Sequence, residues 1–162
     1  MFEAKFQTFD DKADPAASAP RLAALRTELA RRGLTGFVVP HTDRHQSEFL
    51  PPSEERLAWL TGFGGSAGTV AVLKDRAAIF VDGRYTLQVR DQVDGRLYEY
   101  QSVPQTSVAK WLGEHVREGA KIAYDPWLHG KGWVTAAKKA LAEKNAVLVE
   151  VELMAVGPSV HR

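Results

Sequence analysis

Thr69-Val70-Ala71-Val72-Leu73-Lys74-Asp75-Arg76-Ala77-Ala78-Ile79-Phe80-Val81 sets two apolar runs of five residues on either side of three charged ones. Each run is too short for a helix and rich in β-branched or aromatic side chains, and Lys74-Asp75-Arg76 is a turn, so the stretch predicts a β-hairpin over 69–81. Neither run alternates between apolar and polar residues. A strand of that kind is covered on both faces, which requires helices on each side of the sheet. Gly36-Phe37-Val38-Val39-Pro40 has the same character and predicts a third buried strand.

Helical patterns fill the intervals. Upstream, Leu22, Leu25 and Leu29 recur at helical spacing after Ser18, the expected N-cap, and Pro20, with Arg31-Arg32-Gly33 as the stop. Ser53-Glu54-Glu55 is expected to cap a second helix carrying Leu57, Trp59 and Leu60 and stopping at Gly62. Downstream of the hairpin, helices are expected over 84–93, 107–117 and 133–144. They alternate with strands over 97–101, 121–124 and 147–153. No repeat is evident. The fold class is therefore α/β: a mixed, mostly buried β-sheet flanked by helices. Trp59, Trp111, Trp127 and Trp133 fall mainly at helical apolar positions and are expected in the packing. Three parts are expected: a flexible N-terminal arm over 1–17, one domain over 18–153 and a divergent tail over 154–162. In the arm Phe2, Phe6 and Phe9 alternate with polar residues, and two readings stand, a disordered leader or an extended segment docking on a partner.

Composition narrows the function. A chain of 162 residues is the size of one domain and can bury roughly two thirds of its unfolded surface without metal or disulfide. Cysteine is absent, which removes disulfides, thiolate metal sites and cysteine nucleophiles. Lys and Arg number 21 against 20 Asp and Glu, so no global field recruits nucleic acid or an anionic membrane. No apolar run approaches the ~20 residues of a membrane span, and the N-terminus lacks the apolar centre of a secretory signal. A cytoplasmic protein is expected.

Three clusters could carry chemistry. His41-Thr42-Asp43-Arg44-His45-Gln46-Ser47-Glu48 follows a buried strand, where α/β sheets collect ligands, although its spacing suits a turn better than a metal site. Gly62-Phe63-Gly64-Gly65-Ser66-Ala67-Gly68 reads as a tight helix-to-strand connection using positive φ, or as a nest of backbone N–H groups. It lacks the Lys-Ser/Thr ending of a phosphate loop. Asp82-Gly83-Arg84-Tyr85 follows the second hairpin strand. There Asp82 can cap a helix, and Arg84 can serve either a structural ion pair or a carboxylate or carbonyl ligand. No nucleophile elbow, His-Glu-x-x-His helix or arranged carboxylate pair is found, so catalysis by this chain alone is not expected.

HQSEF at 45–49, ERLAWLTGFGGSAGTVAVL at 55–73 and AAIFVDGRYTLQVRDQVD at 77–94 resemble, in that order, the N-terminal domain of cytosolic-type Xaa-Pro aminopeptidases in the creatinase/prolidase superfamily. The resemblance runs from about Arg21 to Val151. It implies a creatinase-type N-terminal domain with a ribonuclease-H-like motif, standing before a separate C-terminal catalytic domain. The whole enzymes so implied are dimers that hold two metal ions, usually manganese, and remove an N-terminal residue preceding proline. Their metal-ligand motifs are not found here, so no residue of this chain is assigned as catalytic or metal-binding. By the same resemblance Glu48 lies near the free amine of the substrate and Arg84 lines the mouth of the site. His45 and Asp82 support those two loops. The tail from Leu153, LMAVGPSVHR, departs from the usual continuation of the family.

Two further readings stand beside this one. Asp43, Asp82 and Asp125 each follow an expected strand, as in a stand-alone ribonuclease-H-like nuclease or phosphotransferase using magnesium. Alternatively, the chain is an interaction module working through its Phe-bearing arm.

Overall fold

The computed structural model describes residues 17–40, 56–65, 67–103 and 105–151. The elements are α1 (Ser18–Arg31), β1 (Gly36–Pro40), α2 (Arg56–Thr61), β2 (Thr69–Leu73), β3 (Ala77–Val81), a 3-10 turn (Gly83–Tyr85), α3 (Thr86–Gln92), β4 (Glu99–Ser102), α4 (Val108–His115), β5 (Lys121–Tyr124), a second 3-10 turn (Pro126–Leu128), α5 (Lys131–Ala142) and β6 (Val147–Glu150). The strands form one six-stranded sheet in the order β4-β3-β2-β1-β5-β6. β2 is antiparallel to both β1 and β3, while β4, β5 and β6 join their neighbours in parallel. Among these strands β2 alone runs against the rest, so the sheet is mixed, as the sequence led us to expect.

The unalternating strands are explained by two cores. Phe37, Val39, Val70, Val72, Ala77, Ile79 and Val81 face Leu22, Leu25 and Leu29 of α1, Leu57 and Leu60 of α2, and Val89 of α3. Val38, Ala71, Leu73, Ala78 and Phe80 face Val108, Trp111 and Leu112 of α4 and Leu141 of α5. Successive strand side chains point to opposite faces, so a strand between two helical layers must be apolar at every position. Gly36 sits in β1 where no side chain fits. A Cβ there would stand 2.7 Å from the Val72 carbonyl oxygen.

Several element ends differ from the sequence reading. Ser18 does not cap α1: it is the first residue of the helix, and its buried hydroxyl finds no hydrogen-bond partner among the described residues. The stop is as expected, since Gly33 takes φ +74° and its N–H and that of Leu34 close on Ala30 and Leu29. The helix expected over 84–93 is split into a 3-10 turn and α3, because the Asp82 carboxylate caps the turn first. β4 begins two residues later than expected because the Asp94 carbonyl accepts from the N–H groups of Leu97 and Tyr98. α5 begins two residues earlier than expected, at Lys131. The expected Ser53 cap, the arm over 1–16 and the tail beyond 153 lie outside the described residues, as does the Trp127 side chain. Of the other tryptophans, Trp111 is fully buried, and Trp59 and Trp133 pack half-buried against the two cores.

Candidate functional site

Strand direction decides where the motifs meet. β1 and β3 end, and β2 begins, at the same edge of the sheet, with Thr69 paired to Pro40 on one side and Phe80 on the other. The glycine loop over 62–68 therefore enters the sheet between Pro40, from which the segment 41–55 departs, and the Asp82–Tyr85 turn. This is the carboxyl edge of the parallel strands, where open α/β sheets bind ligands.

At the turn, Asp82 is extended, with φ −89° and ψ 179°. Its Oδ1 accepts from the Arg84 backbone N–H at 2.9 Å, and its Oδ2 accepts from Arg84 Nη2 at 2.9 Å. Arg84 Nε lies 3.2 Å from both carboxylate oxygens. The Arg84 side chain first, and its backbone N–H second, hold the Asp82 carboxyl below its ordinary range. The Arg84 guanidinium also lies 5.1 Å from the centroid of the Tyr85 ring. Held on these sides, the Arg84 side chain is still 63% exposed.

A second Asp-Gly-Arg serves as an internal comparison. Asp94 accepts from the Arg96 backbone N–H at 2.8 Å, and Arg96 Nε and Nη2 reach its carboxylate at 3.1 and 3.0 Å. The same local construction thus recurs beyond the other end of α3, ahead of β4. The ion pair in itself is a property of the tripeptide; what distinguishes Arg84 is its place at the carboxyl edge of the parallel strands, beside the glycine loop.

The glycine loop is held from α3 and from the turn. Gly64 N–H donates to Gln92 Oε1 at 2.8 Å, and Gln88 Nε2 donates to the same oxygen at 3.1 Å. The Phe63 and Tyr85 rings meet edge to face with centroids 5.5 Å apart. Among the described residues of this loop only Gly62 has positive φ, at +86°. Gly65 is required for space instead, since a Cβ there would fall 2.4 Å from Phe63 Cζ. The expected use of positive φ thus holds for one glycine of the cluster, and close approach accounts for another.

Of the residues singled out in the sequence, Asp82 and Arg84 are brought together; Glu48, His45, His41 and Asp43 lie outside the described residues. Gln92 and Gln88 were not singled out, and Tyr85 was named only as a member of the Asp82-Gly83-Arg84-Tyr85 cluster. Their signal was the i, i+4 spacing of the two glutamines in the helix after the turn. Two of the three carboxylates needed by the nuclease reading, Asp82 and Asp125, are not brought together. Asp82 follows β3 and Asp125 follows β5, three strand spacings apart in the sheet order, or about 14 Å. Among the described residues no three His, Asp or Glu side chains are gathered as a metal-binding group. The described residues thus offer no ligand set for the implied metal pair.

A layered α/β domain with its ligand edge formed by a glycine loop and an Asp-Gly-Arg turn is the class defined by this geometry. The Creatinase/Prolidase N-terminal domain family matches residues 21–156, and the chain belongs to that family. Xaa-Pro aminopeptidase 2 of Rattus norvegicus is 35% identical over 131 residues, covering 81% of this chain and 19% of the relative. Xaa-Pro aminopeptidase 1 of Dictyostelium discoideum is 30% identical over 131 residues, covering 80% of this chain and 21% of the relative. The chain thus spans about a fifth of the length of these curated relatives. The X-prolyl aminopeptidase of Caenorhabditis elegans, a cytosolic enzyme with a di-nuclear active site, superposes with TM-score 0.77 at 28% identity, over 89% of this chain and 25% of that one. The isolated N-terminal domain of the cytoplasmic peptidase PepQ from Mycobacterium tuberculosis superposes with TM-score 0.64 at 25% identity, over 84% of this chain and 95% of that domain. The nuclease reading finds no support in these similarities.

Proposed function

We propose that this chain is the non-catalytic N-terminal domain of an Xaa-Pro aminopeptidase. In this reading it walls one side of a peptide cleft and contributes contacts to a homodimer. A C-terminal catalytic domain holds two divalent metal ions, manganese or similar, and removes the N-terminal residue that precedes proline. The observation that carries the reading is the asymmetry of coverage. Similarity takes in 81% of this chain but only 19% of the rat enzyme, and it falls on the family's N-terminal domain.

The side chains of the edge suit that role. In this reading Arg84, an exposed guanidinium that also pairs with Asp82, is the substrate-binding cation and donates to a peptide carbonyl or carboxylate. Glu48 is its anionic counterpart, for the N-terminal ammonium of the peptide. Asp82 and His45 support the two loops. A cytoplasmic setting agrees with the cytosolic Caenorhabditis elegans enzyme, and among the described residues no helix is long and apolar enough to cross a membrane.

The pure 162-residue chain with added manganese is expected to hydrolyse no Xaa-Pro peptide, and robust turnover would refute the reading. In the full-length polypeptide, Arg84→Ala is expected to raise KM for an Xaa-Pro peptide about tenfold at unchanged metal content, as loss of a charge-assisted contact does. Arg96→Ala, which breaks the same local ion pair away from the edge, is expected to leave KM within about twofold. Glu48→Gln is expected to act in the same direction as Arg84→Ala. Unchanged kinetics for both edge variants would remove these residues from the cleft.

A further inference from the structure

We infer that Gln92 is a positioning residue, a latch that sets the glycine loop against the Arg84 turn and so fixes the shape of the proposed cleft wall. The inference rests on the reading of Arg84 as a cleft residue and goes further, by naming what holds Arg84 in register with its neighbour.

Four glycines between 62 and 68 give the loop wide intrinsic backbone freedom. Beside the burial of Phe63 in the core, three contacts among the described residues restrain it. Thr61 Oγ1 accepts from Phe63 N–H at 3.1 Å, which fixes the loop to its own helix. The other two come from the far side: Gln92 Oε1 at Gly64 N–H, and the Tyr85 ring at the Phe63 ring. Gln88 stands one turn before Gln92 on the same face of α3, and its amide donates to the oxygen that Gly64 uses. A continuous path results, from Gln92 through Gly64 and Phe63 to Tyr85, over whose ring the Arg84 guanidinium lies.

Burial does not explain the latch. Gly64 is exposed, and water would satisfy its N–H if Gln92 were absent. The hydrogen bond instead selects one placement of a loop that could adopt several. Its loss should therefore act on ligand binding at the edge far more than on the fold.

Both contacts at Gln92 use its side-chain oxygen as an acceptor, so Gln92→Glu preserves them and Gln92→Leu removes them. In the full-length polypeptide, Gln92→Leu is expected to raise KM for an Xaa-Pro peptide about three- to tenfold with kcat within about twofold, the effect of losing one hydrogen bond from ground-state binding. Gln92→Glu is expected to match the wild type. Arg84→Ala/Gln92→Leu is expected to be no worse than Arg84→Ala alone, because the two residues act along one path. A wild-type KM for Gln92→Leu, or additive effects in the double variant, would overturn the inference. If Arg84→Ala itself leaves KM unchanged, the cleft reading fails instead, and the latch is judged by amide exchange in the 162-residue chain. There Gly64 N–H is expected to exchange faster in Gln92→Leu than in the wild type and Gln92→Glu, with the β2 and β3 amides unaffected; equal Gly64 rates would overturn it.

Discussion

The His129 imidazole stacks on the Trp133 indole with centroids 4.0 Å apart, and the Tyr124 ring stands 5.9 Å away. The His129 Nε2 is buried without a hydrogen-bond partner among the described residues. Burial disfavours the charged ring more than nearby Asp125 favours it, and the pKa is lowered from 6.5 to about 4. The unfolded chain therefore takes up a proton as pH falls through 6.5, while the folded chain refuses one until about pH 4. Stability from this group is fully present above pH 6.5 and is lost across that window, by an amount on the order of 3 kcal/mol. Urea unfolding at pH 7 and pH 4 should reveal this loss in the wild type. His129→Phe, which keeps a flat ring on Trp133 without a titrating nitrogen, should remove most of it; an unchanged difference would count against the buried imidazole as its source. The carboxylates of Asp75, Asp82 and Asp94 are held below their ordinary range by Arg117, Arg84 and Arg96, so they titrate at the acid end of the window or beneath it.

At the scale of elements, the glycine loop separates three requirements that look alike in the sequence. Gly62 needs φ +86°, a conformation that L side chains rarely adopt. Gly65 needs space, because its absent Cβ is occupied by the Phe63 and Tyr85 rings, at 2.4 and 2.9 Å. Gly64 needs neither, since a Cβ there meets the Gln92 amide oxygen at an ordinary 3.6 Å. Gly65→Ala should therefore destabilise the domain by about 1–3 kcal/mol through overpacking. Gly64→Ala should change stability by no more than about 0.5 kcal/mol. Thermal unfolding of the two variants side by side checks the contrast, and equal losses would contradict the packing assigned to Phe63 and Tyr85. The Asp-Gly-Arg turns separate in the same way. Two identical tripeptides make the same ion pair, yet the sheet gives only Asp82-Gly83-Arg84 a place beside the glycine loop.

On the scale of the whole molecule, the two apolar cores share every strand between β1 and β3, so neither can loosen without exposing the back of the other. Leu60 in one core and Leu112 in the other are both fully buried. Leu60→Ala and Leu112→Ala should each cost about 2–5 kcal/mol, and each should shift one cooperative transition. Denaturant curves followed by tryptophan fluorescence and by far-ultraviolet circular dichroism should coincide in both variants. Separated transitions would mean that the layers fold as independent units. A core of this kind agrees with the PepQ N-terminal domain, a structure of the domain by itself.

The sequence by itself determined the layers. Unbroken apolar runs at 36–40, 69–73 and 77–81 can be stable only as strands covered twice, and the leucine spacing of α1 can be stable only as a helix lying on them. It also determined the family, through three ordered motifs. Element ends were less legible, because they depend on which polar group reaches the backbone first. Asp82 won a 3-10 turn from α3, Asp94 delayed β4, and Ser18 was drawn inward and could not cap α1. Only the tertiary structure decided the site. The antiparallel course of β2 brings residue 69 between residues 40 and 80, and a glutamine at 92 meets a glycine at 64. Local sequence fixes what each segment can bury, whereas strand direction and register fix which segments become neighbours.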